Sequence, residues 1–207
     1  MISIIDYGAG NLHSVQKAFE HLGFDTAIVK KPGEILSATH VVLPGVGAFS
    51  DAMSNLRKTK LDMAITQAIK QGKNFLGICL GMQLLFDSGV EGGQRTAGLG
   101  VFSGEVAKLP QNVIVPHMGW NNITGSDDII FNDAQEVYMY FVHSFCCPVS
   151  EYTAAVCDYG IPFTAAVRKG NCLGVQFHPE KSGDAGLEIL KRFGGLINAD
   201  QKNHPLS

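Results

Sequence analysis

The chain has 207 residues, 45% of them hydrophobic and 17% charged, which suits a single domain over 1–207 with a large core. Basic and acidic residues, 16 and 19, nearly balance, and no basic block is present, so neither nucleic acid nor a membrane is an expected partner. No apolar run approaches the ~20 residues that span a bilayer. Five cysteines without disulfide or zinc spacing point to a cytoplasmic protein with no metal and no cofactor.

Strand and helix patterns alternate along the chain. Residues 1–6 read as a buried strand rather than a signal peptide, because Met1-Ile2-Ser3-Ile4-Ile5-Asp6 lacks a basic n-region. A Gly8-Ala9-Gly10-Asn11 loop follows, then a helix from Leu12 to Leu22 with Val15, Ala18, Phe19 and Leu22 on one face. A second strand covers 24–29. His40-Val41-Val42-Leu43 is a short third strand that ends at Pro44-Gly45-Val46-Gly47. Helical patterns over 50–57 and 61–71 precede a strand at 73–78. The stretch 88–135 is Gly-rich and reads as irregular, with short extended pieces. A strand at 136–142 follows, then a hairpin of 153–157 and 162–168 around Asp158-Tyr159-Gly160. After a strand at 172–177, Ser182 is the expected N-cap of a helix running to about Ile197, with Asp184 in its first turn. The tail from Asn198 is polar and expected to fray. This alternation predicts an α/β fold, a flavodoxin-like open and mostly parallel sheet with helices on both faces.

Gly8-Ala9-Gly10 begins a G-x-G, but His13 stands where a dinucleotide fingerprint needs its third glycine. Lys30-Lys31, not an acid, follows the second strand, so nucleotide binding is not expected there.

Gly77-Ile78-Cys79-Leu80-Gly81 carries the strongest chemical signal. A cysteine with glycine at i−2 and i+2, between an apolar strand and a helix-like Met82-Gln83-Leu84-Leu85-Phe86, reads as a nucleophile elbow. A lone G-x-C-x-G fits a buried structural cysteine as well. His178-Pro179-Glu180 shifts the balance, because a cysteine nucleophile needs a base and a group that orients the base. His178 ends a strand-like run, and at strand spacing Glu180 lies on its side of the chain. The carboxylate would then fix the imidazole tautomer, as in a serine triad. A helix starting at Leu80 would add positive potential at Cys79. The Leu80 amide would be one oxyanion donor, and the flexible Gly45, Val46, Gly47 turn the source of the second. His143 reads as structural. Trp120, the sole tryptophan, fits either core or a partner anchor.

Gly77-Ile78-Cys79-Leu80-Gly81-Met82-Gln83 with His178-Pro179-Glu180 resembles the class I (triad) glutamine amidotransferases over nearly the whole chain. Asp6-Tyr7-Gly8-Ala9-Gly10-Asn11, Pro44-Gly45-Val46-Gly47-Ala48-Phe49, Pro116-His117-Met118-Gly119-Trp120-Asn121 and the 178–183 segment strengthen the likeness. The resemblance implies that Cys79 attacks the side-chain amide of glutamine, with His178 as base and Glu180 as its orienter. It implies that Gln83 and the backbone around Gly47, Ser144 and Phe145 hold the substrate. It also implies a heterodimer with a (β/α)8-barrel cyclase subunit, which receives the ammonia, and a docking face that includes Ala9, Trp120, Tyr138 and Lys181. Two other readings stay open at this point: a glutaminase of the same family serving a surface-sugar synthase, and a free-standing γ-glutamyl cysteine hydrolase.

Overall fold

The computed structural model describes residues 1–125 and 137–196. The expectations for Glu136, Ile197 and the tail from Asn198 lie outside the described residues; the last helix already ends at Gly194, short of the expected Ile197.

The first half of the chain runs β1 (Ile2–Ile5), α1 (Leu12–His21), β2 (Thr26–Val29), α2 (Pro32–Ser37), β3 (His40–Gly45), α3 (Phe49–Lys58), α4 (Leu61–Lys70), β4 (Asn74–Cys79) and α5 (Leu80–Gln83). Then come β5 (Phe86–Glu91), β6 (Gln94–Ala97), β7 (Phe102–Lys108), β8 (His117–Gly125), β9 (Val137–His143) and β10 (Phe145–Cys146). The chain closes with β11 (Thr153–Asp158), β12 (Pro162–Lys169), β13 (Cys172–Val175), a 3-10 turn (Pro179–Lys181) and α6 (Gly183–Gly194).

The main sheet has the order β2-β1-β3-β4-β13-β12-β11-β8-β9 among the described residues. Neighbours from β2 to β13 are parallel, and those from β13 to β9 antiparallel. The parallel strands β1, β3, β4 and β13 are buried along their whole length, which explains their nearly unbroken apolar runs. Successive side chains of a strand face opposite layers. Val42 joins Val15, Phe19, Leu190 and Phe193 under α1 and α6, whereas Val41 and Leu43 join Met53, Leu56 and Ile65 under α3 and α4. The fold is thus α/β and flavodoxin-like, with helices on both faces. No helix among the described residues is long and apolar enough to cross a membrane.

Four sequence expectations need correction. The described part of the segment 88–135, residues 88–125, is not irregular throughout. It contributes β5, β6 and β7 to a second sheet of order β10-β7-β5-β6, and β8 to the main sheet. Gly92 and Gly93, with φ of 61° and 77°, make the two-residue hairpin turn between β5 and β6. The helix α2 escaped the pattern because its six residues are too few for a period. Pro32 starts it, and the Glu34 carboxylate accepts the Lys30 and Lys31 amides, each at 2.9 Å. The last strand stops at Val175, and Glu180 sits in the 3-10 turn instead of extending a strand. Ser182 takes the expected N-cap position of α6, but its side chain makes no capping bond. Its hydroxyl donates to the His178 carbonyl and accepts the Tyr140 amide at 3.0 Å.

The turn from β4 into α5 is tightly packed. Cys79 has φ 55° and ψ −112°, a conformation that side-chain-bearing residues rarely adopt. Its flanking glycines let the backbones cross. A Cβ on Gly77 would lie 2.7 Å from the Gly81 carbonyl oxygen, and one on Gly81 would overlap the Leu43 carbonyl of β3. Gly81→Ala is therefore expected to destabilise by at least about 3 kcal/mol in urea denaturation. Gly33→Ala, where nothing lies within 4 Å of the added carbon, should be neutral or slightly stabilising. Equal stability of the two variants would contradict the crossing.

Candidate active site

The C-terminal ends of β1, β3, β4 and β13 open on one rim, where open α/β sheets bind their ligands. A cavity of about 330 Å³ lies there. It brings together Cys79, Leu80, Gln83 and His178 with Val46 and Gly47 after β3, Ser144 and Phe145 after β9, and Lys181. Gly45 is not on its wall; it pairs with Cys79 in the sheet register. Asn11, Glu91, Pro116, Val142 and His143 also line the cavity.

Two polar groups surround the sulfur. The Cys79 thiol points to the Val142 carbonyl at 3.9 Å, and Gln176 Nε2 donates to Sγ at 3.7 Å. Gln176 Oε1 in turn accepts from Gln83 Nε2 at 2.9 Å. Gln176 was missed in the sequence. Its signal was a lone amide within the apolar run 172–177, where it is fully buried. Gln83 Nε2 also donates to the Phe145 carbonyl at 3.0 Å, so only its Oε1 is left for a ligand.

His178 and Glu180 form a buried pair. Nδ1 lies 2.9 Å from Oε1, with the two side chains only 4% and 1% exposed. Nε2 has no hydrogen-bond partner among the described residues. Burial opposes the imidazolium, but Cys79 and Glu180 together outweigh it and push the His178 pKa up to about 9. The other thiols move away from reactivity. Burial raises Cys146 to about 11 and Cys157 to about 12, and also lifts Cys147 and Cys172. Burial acts the other way on His117 and His143, which face each other across β8 and β9 and are lowered to about 4. His143 is thus a buried neutral histidine. Among the described residues no group of three or more His, Cys, Asp or Glu is placed to hold a metal ion.

Trp120 and Tyr138 stand away from the cavity on β8 and β9, 56% and 57% exposed. Lys181 connects the two places: it lines the cavity, and its Nζ lies 5.9 Å from the Tyr140 ring, which packs on Trp120. Ala9 packs, partly buried, against the core beneath the β1 loop.

The profile of the glutamine amidotransferase class-I family matches residues 3–195. Similar proteins include a Moorella thermoacetica chain named imidazole glycerol phosphate synthase subunit HisH, 48% identical over 95% of both chains. The chain belongs to the class-I glutamine amidotransferases, in the HisH branch.

A Methanosarcina acetivorans HisH is 50% identical over 93% of this amidotransferase and 96% of the relative. The Arabidopsis thaliana protein named imidazole glycerol phosphate synthase hisHF, chloroplastic, is 44% identical over 93% of this chain but 34% of its own length. Among solved structures, a glutamine amidotransferase superposes with a TM-score of 0.74 at 18% identity, covering 94% of this chain and 99% of that one, which shows a shared fold. The amidotransferase is accordingly an enzyme of glutamine-derived nitrogen transfer.

The raised imidazole pKa sets a pH window. Folded His178 keeps its proton up to about 9, while an unfolded histidine loses it near 6.5. The attraction to Glu180 is therefore complete below about 6.5 and is lost as pH rises through about 9. Glu180→Gln should be less stable than wild type at pH 6, with the gap narrowing toward pH 9.5 in denaturant titrations. A gap that widens with pH would contradict the buried charge pair.

Proposed function

We propose that this chain is the glutaminase subunit of an imidazole glycerol phosphate synthase, with Cys79, His178 and Glu180 as its triad. One observation carries the reading: a thiol in a strained elbow lines the same cavity as a histidine whose charged form is stabilised by a buried carboxylate.

In this mechanism Sγ of Cys79 attacks the side-chain amide carbon of glutamine. The proton given up by the thiol resides on His178, and the imidazolium passes it to the departing ammonia, leaving a thioester. Water then enters with His178 as base, and glutamate is released. Glu180 orients the imidazole and offsets its charge. The amides of Leu80 and of the 45–47 turn stabilise the oxyanion. At the other end of the substrate, Glu91 offers a carboxylate for the α-ammonium, and the backbone at Ser144 and Phe145 faces the α-carboxylate. Gln83 Oε1 supplies a further acceptor, and Gln176 steadies the sulfur.

Ammonia passes to a (β/α)8-barrel cyclase subunit. There it reacts with a bound ribonucleotide to give imidazole glycerol phosphate and an aminoimidazole carboxamide ribotide. Trp120 and Tyr138 are exposed apolar anchors of the kind that interfaces bury, and Lys181 and Ala9 complete the docking face. The Arabidopsis relative supports a larger synthase, since this chain matches only 34% of it. Docking turns the 45–47 peptide toward the oxyanion, so turnover depends on the partner and its nucleotide.

Cys79→Ala tests the reading in the assembled synthase. Glutamine-dependent synthesis should fall by at least about 10³-fold, while synthesis from added ammonium salt stays at the wild-type rate. Retained glutamine-dependent synthesis would remove Cys79 from the mechanism. Wild-type glutamine turnover should rise steeply when synthase and nucleotide are added; equal turnover without them would point to a free-standing hydrolase.

A further inference from the structure

We propose that Asn121, His117 and His143 form a tautomer-locked hydrogen-bond chain that positions the Phe145 carbonyl, and with it the 144–145 backbone on the cavity wall. The substrate role of this chain rests on the reading of that cavity as the glutamine site.

The direction of every bond follows from its ends. The Asn122 backbone amide donates to Asn121 Oδ1 at 2.9 Å, which fixes how the Asn121 amide is turned. Asn121 Nδ2 then donates to the Asp158 carbonyl at 3.1 Å and toward His117 Nε2 at 3.3 Å. An acceptor at Nε2 places the proton of neutral His117 on Nδ1. That proton is donated to His143 Nε2 at 2.9 Å. His143 must in turn carry its proton on Nδ1, which donates to the Phe145 carbonyl at 2.8 Å. Starting from the other end gives the same answer, because a carbonyl oxygen only accepts. Two independent ends thus enforce one pair of tautomers, and both are the Nδ1–H form that free histidine disfavours.

The surroundings keep the chain in place. His117 is stacked between Tyr159 and Phe141, at 3.9 and 4.8 Å between ring centroids. The Phe145 oxygen also accepts from Gln83 Nε2, so both of its lone pairs are engaged. The neighbouring Ser144 carbonyl accepts the Leu109 amide at 2.9 Å. Neither peptide can turn without breaking these bonds, so this part of the wall is set before a ligand arrives. His117 does not line the cavity and acts only through His143; it is a positioning residue.

Two measurements on the full chain test the proposal. Histidine 15N NMR at pH 7 should find His117 and His143 neutral with the proton on Nδ1. An Nε2–H form at either residue would overturn the chain. The second measurement is the glutamine concentration that half-protects Cys79 from iodoacetamide. His117→Phe keeps a stacking ring but removes the donor to His143, and should raise that concentration at least about fivefold, as expected for one lost hydrogen bond. His143→Leu should raise it further, and His143→Asn, with a donor near the Nδ1 position, should recover part of the loss. Wild-type protection with no change in folded His117→Phe and His143→Leu would overturn the positioning role alone. No protection of the wild type would overturn the glutamine reading, and the substrate role with it.

Discussion

The site depends on the backbone of one residue. Cys79 is held at φ 55° because β3, β4 and α5 cross where Gly77 and Gly81 let the backbones approach. Such a conformation costs about 1–3 kcal/mol. The residues that follow offset it: Leu80, Met82, Leu84 and Leu85 are all buried directly after the turn, and each fully buried large apolar side chain contributes roughly 1.5–3 kcal/mol. Without that burial the strand would relax, and the sulfur would leave the rim. The strain is thus a consequence of packing, and the position of the nucleophile a consequence of the strain.

Electrostatics separates the histidines that lie near this rim. His178, beside Glu180 and the Cys79 sulfur, is pushed up to about 9, whereas His117 and His143, among aromatic rings and each other, are pulled down to about 4. Burial disfavours charge at all three. The difference is the Cys79 sulfur together with one carboxylate placed 2.9 Å from the imidazole. A buried ion pair is weak support for stability, since desolvating two charges costs about as much as their attraction returns. Its presence at a cavity is better explained by chemistry that needs a charged, oriented imidazole. The neutral pair on β8 and β9 serves a different end, because a neutral histidine can accept at one nitrogen and donate at the other.

The parts legible in the sequence were those with a local physical signature. The elbow showed as two glycines around Cys79, the central strands as apolar runs, and the helices α1, α3, α4 and α6 as periodic faces. The second sheet was not legible. Its outer strand β6 is largely exposed, and its residues Gln94–Ala97 have no buried face to produce an alternating pattern. The Gly92-Gly93 turn was a hairpin signal hidden by the glycine-rich composition around it. Glu91 and Asn11 reach the site through tertiary packing, and nothing in their own neighbourhoods marks them as site residues, while Gln176 left only the faint mark of a lone amide in an apolar run. The pairing of His178 with Glu180 was visible as a spacing, but a 3-10 turn after Pro179, not strand alternation, brings the two groups together.

The central claim is that this fold makes one of five free thiols chemically distinct by seating it beside a carboxylate-supported imidazole. Peptide-mapped alkylation kinetics with iodoacetamide at pH 7, on wild type and His178→Gln, test it most directly. The account predicts that Cys79 is modified first and far faster than Cys146, Cys147, Cys157 or Cys172, and that His178→Gln removes this lead while the protein stays folded. Modification of another cysteine first, or an unchanged Cys79 rate in folded His178→Gln, would contradict it.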